Sequence, residues 1–66
     1  MSPLQFYRDQ AERSHAEADA ATLANVRDRC TRAAVAWEEM ADRISRTDAM
    51  RAEREAATAA RVETQA

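Results

Sequence analysis

The sequence predicts an all-α protein: an antiparallel two-helix hairpin that pairs with a second copy as a four-helix bundle. Three observations carry this prediction. Positions 4, 7, 11, 14, 18 and 21, and then positions 23, 26, 30, 33, 37, 40 and 44, each alternate steps of three and four residues, the spacing of one helix face. Folded back about Thr22, the two faces oppose one another with residue numbers that sum to 44, placing Ala18 by Val26, Ser14 by Cys30, Ala11 by Ala33, Tyr7 by Trp37 and Leu4 by Met40. The composition agrees, because 17 alanines and 10 arginines are strong helix formers, glycine is absent, and the single proline stands at position 3.

The first helix is expected over residues 3–21. Ser2 offers a capping hydroxyl, Pro3 suits the first helical position, and Gln5 is placed to reach back as the second half of a capping box. Met1 and Phe6 occupy the two positions of a hydrophobic staple. Thr22 is the expected cap of a second helix over residues 23–46, which leaves a very short turn. The alternative is one continuous helix that pairs with a second copy, but it would put the two faces out of phase, since the step from Ala21 to Leu23 breaks the alternation.

The hairpin is thus assigned to residues 1–47. Residues 48–66 form an Ala/Arg/Glu-rich tail with only Met50 and Val62 as larger apolar side chains, expected to extend helix two or to fray. Four acid-to-arginine pairs at a spacing of four, Asp9 with Arg13, Asp28 with Arg32, Glu39 with Arg43 and Asp42 with Arg46, support the helices from the solvent side.

A chain of 66 residues buries only about 60% of the surface its unfolded form exposes. Cys30 is the only cysteine, so neither a disulfide nor a cysteine-based metal staple supplements that core, and self-association is the remaining route. No run approaches the ~20 apolar residues of a membrane span and no signal-peptide order is present, which predicts a cytoplasmic protein.

Candidate chemistry is sparse. With no glycine there is no phosphate-cradling loop. Glu12 and His15 have the i, i+3 spacing of carboxylate-bridged di-iron bundles, but the sum of 44 sets Arg32 and Arg29 opposite them, and no metal or other cofactor is expected. Cys30 lies on the apolar stripe and reads as a buried small hydrophobe rather than a nucleophile served by His15. Two helices alone offer no concave pocket of the usual ligand size. Arg27, Arg29 and Arg32 form a basic cluster interrupted by Asp28, and Arg43, Arg46, Arg51 and Arg54 a looser strip interrupted by acids. At a net charge of −2 such a patch suits an acidic protein partner at least as well as nucleic acid. Trp37 opposite Tyr7 reads as the centre of the hairpin.

The runs Phe6-Tyr7-Arg8-Asp9-Gln10-Ala11, Asn25-Val26-Arg27-Asp28-Arg29-Cys30 and Trp37-Glu38-Glu39-Met40-Ala41-Asp42-Arg43 resemble a group of short uncharacterised helical-hairpin proteins of alphaproteobacteria. The resemblance spans positions 6 to 43 and implies the hairpin, but no activity. The sequence reading is therefore a non-enzymatic, self-associating interaction or regulatory module of bacterial origin. Phe6, Tyr7, Val35, Trp37 and Ile44 are its association residues, and homodimer is the favoured state. The alternative is a small nucleic-acid-associated regulator using Arg27, Arg29 and Arg32.

Overall fold

A computed structural model describes residues 1–65. Two helices, α1 (Pro3–Ala20) and α2 (Ala24–Gln65), pack on one another as a hairpin. Ser2 caps α1 as its sequence requires, the hydroxyl accepting from the Gln5 amide at 3.1 Å, with Pro3 directly behind it. The reciprocal half of the capping box does not form, because the Gln5 side chain runs forward and donates to Asp9 at 2.7 Å. The staple is also absent. Met1 is 90% exposed, and Phe6 turns instead toward Tyr7 and Trp37.

The turn is longer than expected, with residues 21–23 between the helices where the sequence reading left only Thr22. Ala21 closes α1 in an extended conformation (φ −71°, ψ 134°), and no described residue adopts a positive φ. An extended exit of this kind needs no left-handed residue, so a glycine-free sequence can make it. Leu23, not Thr22, holds the capping position, its carbonyl accepting from the Arg27 amide at 3.0 Å. Leu23 is therefore exposed at the turn and not part of the seam. Arg27 reaches back so that its guanidinium donates to the Ala21 carbonyl at 3.1 Å. A cation at the C-terminal end of α1 also complements the helix dipole there.

Ala11, Ser14 and Ala18 are buried on α1, three of the predicted seam positions. On α2 the buried residues are Ala34, fully enclosed, and Ala41; the predicted Ala33 and Met40 stand half-buried at the edge. Small side chains face small side chains along the middle of the contact, which lets the two backbones approach closely. Tyr7 and Trp37 close the broader end, their rings stacked with centroids 5.6 Å apart, while Phe6 meets the indole edge-on at 6.0 Å.

α2 is far longer than α1, 42 residues against 18, and the molecule is a rod with extents of 65 × 18 × 12 Å. The tail is the helical extension down to Gln65; Ala66 lies outside the described residues. Contact with α1 does not stop at Thr47, since Pro3 shares a shallow groove with Ile44, Asp48 and Arg51. Beyond that groove every described residue is exposed. Truncation after Arg51 should accordingly leave the hairpin folded while removing helical signal in proportion to the residues lost. A circular dichroism melt checks this, and loss of the cooperative transition would show that the projecting helix stabilises the hairpin.

None of the four expected i, i+4 pairs closes; the only ion pairs among the described residues are Arg51 with Asp48 at 3.9 Å and His15 with Glu38. Exposed pairs gain little in water, and long side chains keep their freedom instead.

Candidate functional site

The hairpin does form a concavity. Arg8, Ala11, Glu12 and His15 of α1 and Glu38, Ala41 and Asp42 of α2 line a groove of about 400 Å³. Its floor is alanine, which is why it exists: Ala11 and Ala41 are too short to fill the space between the longer side chains on either side. The expectation that two helices alone leave no such hollow is corrected by these alanines.

The groove also corrects the neighbours assigned to Glu12 and His15. They face Glu38 and Asp42, not Arg32 and Arg29. His15 Nε2 is in hydrogen-bond contact with a Glu38 carboxylate oxygen, both side chains being about half exposed (53% and 50%). Part of the cause is the tilt of helical side chains toward the N-terminus of their own helix. On α1 that direction leads away from the turn, and on α2 toward it. Tilt favours meetings in which the α2 residue lies farther from the turn than the α1 residue, and the paired numbers do exceed 44: 17 and 30 for Glu17 and the Cys30 thiol, and 15 and 38, an offset larger than tilt alone gives, which the reach of the two long side chains extends. The Tyr7–Trp37 pair, in which broad rings stack side by side, keeps the symmetric sum.

Three carboxylates, one imidazole and one guanidinium thus border one groove. Among the described residues, no three histidine, cysteine, aspartate or glutamate side chains are grouped as a metal ion requires. The site residues expected for association are divided by the fold. Tyr7, Trp37 and Ile44 are half-buried within the hairpin, whereas Phe6 is 43% and Val35 46% exposed. The Arg27, Arg29 and Arg32 cluster is likewise divided, since Arg27 turns back to Ala21 and the other two project from α2 into solvent.

Cys30 is half-buried at the edge of the seam and not enclosed in it. Its thiol points at a Glu17 carboxylate oxygen at 4.0 Å, a neighbour of the wrong charge to assist a thiolate, and His15 is committed to Glu38. In the native state Cys30 should react with a water-soluble disulfide reagent several-fold more slowly than in the denatured chain, and at a rate unaffected by His15→Ala. Slower native labelling in the His15 variant would reveal an activated thiol.

Compared with known protein families, with curated proteins and with solved structures, this chain has no match. No helix among the described residues is long and apolar enough to cross a membrane.

Proposed function

We propose that this chain is a small non-enzymatic interaction or regulatory module that works as a homo-oligomer, in the simplest case a dimer whose two hairpins form an antiparallel four-helix bundle. The observation that carries the proposal is the poverty of the hairpin's own core. Its buried apolar side chains are the four alanines 11, 18, 34 and 41, and no large side chain is fully enclosed. Burial stabilises by only ~25 cal/mol per Å² of apolar surface, and alanine has little surface to bury. Ordering some sixty residues costs ~1 kcal/mol or more of backbone entropy each, which so thin a core does not offset alone. Phe6, Val35 and the uncovered sides of Tyr7, Trp37 and Ile44 supply apolar surface that a second copy can cover.

Sedimentation across the micromolar range tests the proposal: the expected result is a concentration-dependent mass reaching that of a dimer, with thermal stability rising in step. A monomer with full helical signal at low micromolar concentration would overturn it. Cytoplasmic residence and kinship with the alphaproteobacterial hairpin proteins belong to the same proposal. The competing reading, a nucleic-acid regulator on Arg27, Arg29 and Arg32, is weaker because Arg27 is engaged at the turn and Asp28 interrupts the cluster.

A further inference from the structure

Because α2 runs without a break from Ala24 to Gln65, arginines that look like two separate groups in the sequence fall on one line. At 3.6 residues per turn, Arg29, Arg32, Arg43, Arg54 and Arg61 lie within an arc of about 60° on α2, spread over about 48 Å of its length. All five are exposed, and neither ion pair among the described residues involves any of them. Between them the same arc carries Asn25, Ala36, Thr47, Met50 and Gln65, with no acidic residue. Arg27 points elsewhere, to the turn. The acidic groove residues Glu38 and Asp42 also lie off the line, on the side shared with α1. In a protein of net charge −2, five uncompensated cations on one face amount to a segregation of charge along α2.

We infer that this arginine line is a docking surface for an acidic α-helix of a partner protein, lying along α2. Charge complementarity identifies the chemistry. The intervals identify the shape: the steps 29 to 32, 32 to 43, 43 to 54 and 54 to 61 are 3, 11, 11 and 7 residues, and 11 residues make almost a whole number of helical turns, so the line stays nearly straight. A second helix has the same rise and can match a straight line over its whole length, with the small or flexible Ala36, Thr47 and Met50 admitting its side chains. The backbone of a nucleic-acid duplex curves away from such a rod and could follow only part of its length. A second copy of this chain cannot dock face to face here, because the arginines would oppose one another. The surface is thus separate from the one proposed for self-association, and a failure of either leaves the other standing.

The test uses the full chain and a fluorescent alanine-based helical peptide whose glutamates follow the same intervals, made in both orders. The controls are a peptide of equal composition with glutamates scattered around the helix, and a 30-base-pair duplex. The expected result is that the patterned peptide binds best, that its binding weakens with salt, and that Arg43→Glu with Arg54→Glu weakens it ~tenfold or more. Arg13→Glu on α1 should leave it unchanged. Circular dichroism of the double variant excludes a folding defect. Equal binding of the scattered peptide, tighter binding of the duplex, an unaffected double variant or absence of binding each overturns the inference.

Discussion

Ala34→Glu is expected to open the hairpin. Among the described residues Ala34 is the one with no exposed surface, so a longer side chain has no room there without separating the backbones. Overpacking a tight contact costs ~1 to 3 kcal/mol, and a carboxylate held there without a partner adds a desolvation penalty of similar or larger size. A domain of this length has only ~3 to 10 kcal/mol of stability in total. The hairpin's cooperative melt should therefore disappear or fall by tens of degrees, and the Cys30 thiol should label at its denatured rate. Ala34→Ser, which adds one oxygen, is the matched control and should cost far less. A melting temperature unchanged by the glutamate would show that the helices are not in tight contact at this position.

Trp37→Ala is expected to have the next largest effect. The indole stacks on Tyr7 and meets the edge of Phe6, so its removal uncovers both partners as well as losing its own buried surface. Truncating a fully buried tryptophan costs ~3 to 5 kcal/mol. Trp37 is only partly covered, which places the expected loss near ~3 kcal/mol. Trp37→Phe should restore much of it through the retained aromatic contact. A loss below ~1 kcal/mol would mean that the aromatic cluster is a surface ornament and that the alanine seam alone holds the helices together.

Much of the hairpin was legible in advance for a local reason. The Ser2 cap depends on residues within one turn of each other, and the seam positions Ala11, Ser14 and Ala18 follow from helical periodicity on a helix with polar residues on its other faces. The Tyr7–Trp37 stack was legible because it joins two of the chain's three aromatic residues at matching distances from the turn. The rotation of α2 was not. Ala33 and Ala34, and likewise Met40 and Ala41, are adjacent apolar pairs, so periodicity permits either member to face α1. Close approach selects the smaller or better-aimed one, and Ala34 and Ala41 take the centre.

The groove around His15 was hidden for a different reason. A register counted from residue numbers treats side chains as if they projected straight out from the helix. The tilt of each Cα–Cβ bond and the reach of the longer side chains displace the true contacts in opposite directions on the two helices, and His15 meets Glu38 where an arginine was expected. The sequence even contained the means to see this, since the tilt is a general property of helices, but its magnitude across a pair depends on how closely the backbones approach.

By itself, then, the sequence determined that this chain is helical, where α1 begins, that the chain folds back near residue 22, and which residues of α1 are covered. These outcomes rest on propensity, capping and period, all of which act within a few residues. Only the tertiary structure decided which face of α2 meets α1, that Glu38 and Asp42 border the groove with Glu12 and His15, and that Arg29, Arg32, Arg43, Arg54 and Arg61 share one uninterrupted line. Those outcomes depend on the distance between two helices and on the phase of one helix over its whole length, quantities that no short stretch of sequence contains.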